Sequence, residues 1–220
     1  MNRLKEIISY KHMIKSLVQR ELRGRYQKSV LGMLWTLINP LFQIAIYTVV
    51  FSVIFPSSLE NYYFYLTSGI IPWTFFNDAV GNSTNDIVGN SDLTKKIYFP
   101  RETLPISSVT AKLINLLLAF IIVFIFAICG GAGISLKTIW FLPVVILSEY
   151  ILALGFALLF SSLTVYFQDL QHIVTVFMMA WIWGTPIMYT IDTVPEWLRV
   201  SISLNPMTGV IGMYHDVLYY

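Results

Sequence analysis

The chain has 220 residues, of which 56% are hydrophobic and 12% are charged, and its formal net charge is +2 at pH 7. Soluble domains typically carry about 25% charged residues, so this composition predicts a polytopic, all-α integral membrane protein rather than a soluble one. Eight of the 14 Lys and Arg residues lie in the first 28 positions, where anionic lipid headgroups or a cytosolic partner fit better than nucleic acid.

Residues 1–28 have the pattern of an amphipathic helix that lies in the cytoplasmic membrane interface. Apolar residues such as Ile7, Ile14 and Leu17 recur at spacings of three and four, with cations between them. A break is predicted near Tyr10–His12. The pattern fits a simple membrane anchor and a docking site for a soluble subunit equally well.

Five membrane spans are predicted after this interface helix. The first begins directly after the cationic cluster, and no charge occurs between Lys28 and Glu60, which gives ample length to cross a bilayer. Cations at this end keep the N-terminus in the cytoplasm. The predicted spans are residues 31–55, 62–80, 104–129, 139–166 and 172–189.

Prolines and small residues modify three of these spans. Pro40 predicts a kink or an irregular start in the first span, whereas Gly69 and Pro72 predict an interruption of the second. In the fourth span Ala153, Ala157 and Ser161 recur every four residues, a spacing that allows another helix to approach closely.

The distribution of charge predicts the topology of a multi-pass membrane protein. The polar loop 81–103 is placed in the cytoplasm, and two short, re-entrant helices over 191–220 are placed at the outer face. With this topology twelve cations lie inside, whereas only Lys137 and Arg199 lie outside. The whole chain, 1–220, is predicted to be one transmembrane domain.

Motifs for catalysis are absent from the sequence. It has no GxxxxGK[ST] phosphate loop, its three histidines are widely separated, and its single Cys129 excludes an internal disulfide. We therefore assign no catalytic residue, no metal and no cofactor to this chain. Glu149 in the fourth span is the best candidate for a functional ionisable group at membrane depth, although pairing with a neighbouring helix or contact with the interface explains it as well. Asp78, Asp169 and His172 lie near the inner ends of spans, where headgroups and water explain them.

Aromatic residues form three stripes at helical spacing. Such stripes usually serve helix packing or an interfacial belt, but aromatic faces also stack on sugar rings, and the pattern alone does not decide. The stripes comprise Tyr47, Phe51 and Phe55; Trp73 and Phe76; and Phe177, Trp181 and Tyr189.

Several stretches resemble the permease subunits of type-2 ABC exporters for cell-surface polysaccharides, the family that serves O-antigen, capsule and teichoic acid export. The first stretch is RYQKSVLGMLWTLINPL at residues 25–41. The others are DLTKKIYFPRE (92–102), YFQDLQHIV (166–174), WGTPIMY (183–189) and LNPMTGV (204–210), in the same order and spacing. The resemblance covers essentially the whole chain.

The resemblance implies a homodimer that is embedded in the lipids of the bacterial inner membrane. It implies that this homodimer binds two separate P-loop ATPase subunits, which hold ATP and Mg²⁺. It implies that the aromatic stripes line the path of a lipid-linked glycan. It also implies a sixth span, whereas this sequence ends at Tyr220 after five. The residues implied to couple to the ATPase are Arg20, Arg23, Arg25, Tyr26, Asp92, Lys95, Lys96, Tyr98, Phe99, Pro100, Arg101 and Asp169.

Two alternatives remain open at this point. One is an exporter of the same architecture that moves a drug or a lipid. The other is an integral-membrane enzyme, such as a glycan transferase, that uses Glu149 or Asp169. It would show turnover without a partner, although the sequence offers no pair of carboxylates on a common face.

Overall fold

The structure is a computed structural model that describes residues 3–26, 31–51, 59, 61–129 and 138–220. Its described residues form helices and turns without a β-strand, so the all-α prediction is confirmed. The α-helices are α1 (Arg3–Ser9), α2 (Lys11–Tyr26), α3 (Trp35–Val49), α4 (Tyr62–Ser83), α5 (Ser91–Lys96), α6 (Thr103–Cys129), α7 (Leu142–Thr164), α8 (Leu170–Trp181), α9 (Glu196–Ser203) and α10 (Pro206–Leu218).

The chain folds into two compact units. The first unit comprises Met1–Gly32, Phe75–Asn115 and Tyr150–Met178. The second comprises Met33–Thr74, Leu116–Glu149 and Met179–Tyr220. The first unit therefore holds the basic N-terminal helices together with α5, and the second holds α3, α9 and α10.

The N-terminal region has the predicted break. Helix α1 ends at Ser9 and α2 begins at Lys11, so the interruption falls at Tyr10. On α2 the apolar side chains of Leu17 and Val18 are buried, whereas Lys15 and Arg20 are exposed. The amphipathic pattern in the sequence thus corresponds to a helix with one face packed inside the first unit.

Two helical stretches are long and apolar enough to cross a membrane, among the residues that the structure describes. They are Thr103–Ile128 and Ile139–Thr164, each of 26 residues, and they correspond to the third and fourth predicted spans. At 1.5 Å per residue each is roughly 39 Å long, which exceeds the hydrocarbon thickness of a bilayer. Ala153, Ala157 and Ser161 are completely buried, as expected of a face that packs closely.

The predicted interruption of the second span is wrong, because α4 runs without a break through Gly69 and Pro72. A proline inside a helix costs about 3 kcal/mol; here the neighbours Ile70, Ile71 and Trp73 are buried, and this packing offsets the cost. Gly69 serves close packing rather than flexibility. A Cβ atom there would lie 3.0 Å from Ile187 Cγ2 and 3.1 Å from His215 Nε2.

The first and fifth predicted spans are shorter as helices than predicted. The first starts with a 3-10 turn at Gly32–Leu34 and continues as α3, which contains Pro40; residues 52–58 lie outside the described residues. The prediction of a span over 172–189 is wrong in its second half. Helix α8 ends at Trp181 and the chain turns through Gly184 and Pro186, because proline lacks the N–H that would continue the helix.

Candidate functional site

Helix α2 packs against the segment that links α5 to α6 through a small apolar core. Leu17 of α2, Phe99 of the linking segment and Leu104 at the start of α6 are all buried there. The partly buried side chains around them are Tyr10, Met13, Ile87 and Leu93. We call these seven residues the coupling core. These contacts join α2, α5 and the start of α6.

A buried ion pair joins α2 to α6. Lys112 Nζ lies 2.7 Å from Glu21 Oε1, and Nζ also donates to Ser108 Oγ at 2.6 Å. The side chain of Lys112 is only 4% exposed, whereas that of Glu21 is 37% exposed. An ammonium at this depth requires a counter-charge, and the Glu21 carboxylate supplies it. The preceding residue of α2, Arg20, donates a hydrogen bond to Asn90 Oδ1 at 2.7 Å.

Asp86 lies in the turn after α4, near the same ion pair. Its Oδ2 atom is buried and has no hydrogen-bond partner among the described residues. Burial raises the pKa of Asp86 to about 7; the Lys112 ammonium and a hydrogen bond from Ser108 lower it, and the Glu21 carboxylate raises it. At neutral pH the folded protein therefore holds Asp86 protonated about half of the time.

Replacing Asp86 with asparagine should remove a pH dependence of stability. The folded protein retains the proton up to about pH 7, whereas the unfolded chain releases it near the ordinary pKa of 3.8. Stability therefore falls as the pH rises from about 4 to 7. We expect Asp86→Asn to flatten this decline and to raise the unfolding midpoint at pH 8, measured by tryptophan fluorescence in detergent. An unchanged slope between pH 5 and pH 8 would contradict this assignment.

The predicted coupling residues divide into an exposed group and a buried group. Phe99 and Pro100 are buried and hold the segment in place. Arg20 is exposed and bonded to Asn90. The side chains of Arg25 and Tyr26 lie outside the described residues. The exposed members, which are available to a partner protein, are Arg23, Asp92, Lys95, Lys96, Tyr98, Arg101 and Asp169.

Glu21 and Lys112 were not predicted as partners. The sequence did contain a signal, since Lys112 is the one charge in the apolar run of α6, and Glu21 is the one acid in α2. A cation in an apolar helix implies a counter-charge elsewhere in the fold. Periodicity alone could not identify which acid, because the two residues lie 91 positions apart.

The aromatic residues that were predicted to line the glycan path lie in both units, and they differ in how far their side chains are buried. Trp73 and Phe76 are buried, and the Phe76 ring meets that of Phe156 edge-on at 5.9 Å. Phe177 is exposed on α8, whereas Tyr47, Phe51, Trp181 and Tyr189 are half-buried; Phe55 lies outside the described residues. The role of these residues in transport stays a prediction.

Asn205 connects the end of α8 with the start of α10 through four hydrogen bonds. Its Oδ1 accepts from Trp181 Nε1 at 2.8 Å and from the backbone N–H of Met207 at 2.9 Å. Its Nδ2 donates to the Gly184 carbonyl at 3.0 Å and to Thr185 Oγ1 at 2.9 Å. Trp181 is thereby tied to α10, which the aromatic pattern did not reveal.

Glu149 pairs with a neighbouring helix, which is one of the two structural explanations that the sequence offered for this residue. It is completely buried, and its Oε2 accepts a hydrogen bond of 2.7 Å from the Tyr214 hydroxyl of α10. This pair joins α7 to α10 within the second unit. Among the described residues no second carboxylate is hydrogen-bonded to Glu149. The pair therefore resembles a structural contact between two helices rather than a catalytic pair.

The comparisons with known proteins agree with the resemblance found in the sequence. The ABC-2 type transporter family matches residues 12–219. The O-antigen export system permease protein RfbA of Myxococcus xanthus is 32% identical over 98% of this chain and 84% of its own length. A Klebsiella pneumoniae protein of the same name is 31% identical over 91% of this chain and 78% of its length. The polysialic acid transport protein KpsM of Escherichia coli is 24% identical over 93% of this chain and 80% of its length.

Proposed function

The chain belongs to the ABC-2 type transporter family, and on that basis we propose that it is the permease subunit of an ATP-driven polysaccharide exporter. Its cargo is a lipid-linked O-antigen or capsular glycan, or a related teichoic acid, which it moves from the cytoplasmic to the outer side of the bacterial inner membrane. The observation that carries this proposal is the similarity along 98% of the chain to a permease named for O-antigen export.

The proposed partners are a second copy of this chain and two P-loop ATPase subunits. The sequence has no phosphate loop of its own, so energy must enter through contact with another protein. The exposed residues of α5 and the segment after it are suited to this contact. The coupling core and the Glu21–Lys112 pair then carry the displacement from α2 and α5 to α6.

The proposed chemistry is translocation without a covalent change to the cargo. The exposed or half-buried aromatic side chains of the first and fifth spans provide faces on which sugar rings stack, whereas Trp73 and Phe76 of the second span are buried. The N-terminus and the basic α2 helix lie on the cytoplasmic side, because the clustered cations favour that side of the membrane. An exporter of a drug or a lipid remains a second candidate only because it would share this architecture. No feature of the described residues favours the alternative of an integral-membrane enzyme.

Replacing Tyr98 with alanine should disrupt coupling without disrupting the fold. Tyr98 is 82% exposed directly after α5, so its ring is available to an ATPase subunit. Loss of a tyrosine at the centre of such a contact weakens binding by about tenfold or more. We expect wild type, expressed with its ATPase, to restore surface glycan to a permease-deficient strain, and Tyr98→Ala to restore much less at equal membrane abundance.

The matched control is Trp197→Ala, since Trp197 is 78% exposed but lies on α9 in the second unit. It should leave both ATPase binding and surface glycan unchanged. Equal export by Tyr98→Ala and wild type would remove the coupling assignment. Failure of wild type to restore any glycan, while it is stable in the membrane with its ATPase, would refute the proposed function itself.

A further inference from the structure

The first unit contains a polar cavity of about 590 Å³ that none of the assigned roles uses. One side is formed by the end of α4 and the turns that follow it, and the other by the first half of α8. Side chains that reach it include Asn82, Asn85, Asp86, Gln171, His172 and Thr175. In the predicted topology this is the cytoplasmic side of the protein.

The chemistry of the lining suits sugar hydroxyls. The carboxamides of Asn82, Asn85 and Gln171 each offer both donors and an acceptor, as a sugar hydroxyl does. The Thr175 hydroxyl donates to the backbone carbonyl of Gln171 at 2.8 Å, and Gln171 Nε2 lies 3.5 Å from His172 Nε2 within the same lining. A site built to bond hydroxyl groups discriminates strongly against ligands that lack them.

The charge of the lining argues against a phosphate ligand. Among the described residues no Lys or Arg lines the cavity, and the titratable side chains of its lining are Asp86 and His172. The nearby Arg20 guanidinium is already bonded to Asn90 Oδ1 of the lining at 2.7 Å. The nearest buried cation, Lys112, is already engaged by Glu21 and by Ser108 Oγ. A pyrophosphate group is bound by Arg or Lys, or by backbone N–H groups of a glycine-rich loop at a helix start, and a carboxyl group repels it.

The shape of the cavity is fixed by the turn at residues 85–89. The Gly89 N–H donates to the Asn85 carbonyl at 2.8 Å, and a Cβ atom on Gly89 would lie 2.8 Å from that same oxygen. Only glycine fits this close approach. The turn therefore holds the backbone of residues 85–89 in one arrangement at this side of the cavity.

We propose that this cavity binds neutral, hydroxyl-rich sugar residues of the lipid-linked glycan on the cytoplasmic side, before the glycan is moved. This inference rests on the proposed function and adds a recognition site to it. The site selects the sugar end of the cargo, and it does not bind the phosphate of the carrier lipid.

Gln171 and Gln168 provide a matched pair to test this site. Both are glutamines of the same turn, three positions apart, but only Gln171 lines the cavity. In proteoliposomes that hold the chain with its ATPase, the probe is lipid-linked glycan extracted from the producing cells. We expect Gln171→Leu to raise the glycan concentration for half-maximal ATPase stimulation by about tenfold, at unchanged maximal rate. Gln168→Leu should behave as wild type.

Thiol labelling gives a direct readout of occupancy. A Thr175→Cys variant on a background where Cys129 is replaced by serine should react with 2-sulfonatoethyl methanethiosulfonate. The extracted glycan lipid should slow this reaction, whereas the carrier lipid left after its sugars are cleaved off should not. Protection by the sugar-free lipid, or equal behaviour of the two glutamine variants, would overturn the inference.

Three further outcomes separate this site from the other proposals. If Gln171→Leu fails to co-purify with the ATPase while Gln168→Leu succeeds, the cavity is an ATPase contact and the sugar site is refuted. If the wild-type exporter shows neither glycan-stimulated ATPase activity nor export, the proposed function fails instead. Normal wild-type export with no effect of Gln171→Leu refutes only the sugar site.

Discussion

Glu21→Leu is expected to destabilise the protein by about 3 kcal/mol. The substitution removes the carboxylate 2.7 Å from Lys112 Nζ and leaves an ammonium whose side chain is 4% exposed. Breaking a buried ion pair in this way costs about 3–5 kcal/mol. We take the lower end because Glu21 is 37% exposed, so water reaches the vacated position. Chemical denaturation in mixed micelles, followed by tryptophan fluorescence, measures the loss.

A double substitution distinguishes a lost ion pair from lost packing. Glu21→Leu combined with Lys112→Met removes both charges, and it should recover most of the lost stability because no buried charge remains. Lys96→Met is the matched control, since Lys96 is an exposed lysine on α5 and should change stability little. If Glu21→Leu alone unfolds at the wild-type denaturant concentration, the pair does not stabilise the fold.

The same variants test whether the pair transmits motion. The Glu21–Lys112 pair and the coupling core are two separate connections from α2 to the start of α6. With Glu21→Leu/Lys112→Met the fold is retained but the polar connection is lost. We therefore expect the double variant to show weaker glycan-stimulated ATPase activity than wild type, although its stability is close to that of wild type. The reason is that α2 is then held by the apolar contacts alone.

The parts of the fold that were predictable from sequence are those fixed by local pattern. The apolar runs of α6 and α7 are long enough to identify as helices without knowledge of their neighbours. The break at Tyr10 follows from the loss of helical periodicity there. The small-residue face with Ala153 and Ala157 was visible because every fourth position is small. Each of these features depends on residues close together in the chain.

The parts that were not predictable depend on contacts between distant segments. Gly69 and Pro72 suggested a broken helix, but packing of the surrounding side chains keeps α4 continuous. The Lys112 side chain needed a partner, yet only the fold brings it to Glu21. The assignment of Trp181 to an aromatic path rested on helical spacing, whereas its indole N–H is bonded to Asn205 beyond the end of α8. Local pattern contains no information about such pairings.

Asn205→Ala is the second substitution with a large expected effect, again about 3 kcal/mol. It removes the side-chain cap of α10, which is worth about 1 kcal/mol. It also leaves the indole N–H of Trp181 and the carbonyl of Gly184 without their partner. Each unsatisfied group costs about 1 kcal/mol, the lower end of the range for buried groups, because both are only partly buried. Denaturation in mixed micelles measures the total.

Asn205→Asp separates the acceptor bonds of this residue from its donor bonds. Aspartate caps a helix as well as asparagine does, and its carboxylate still accepts from Trp181 and from the Met207 N–H. It cannot donate to the Gly184 carbonyl or to Thr185, and it places a negative charge beside that carbonyl. We therefore expect a loss of about half that of alanine. Equal losses for both variants would mean that the donor bonds alone stabilise the junction between α8 and α10. A loss below about 1 kcal/mol for alanine would mean that the four bonds contribute no more than an ordinary helix cap.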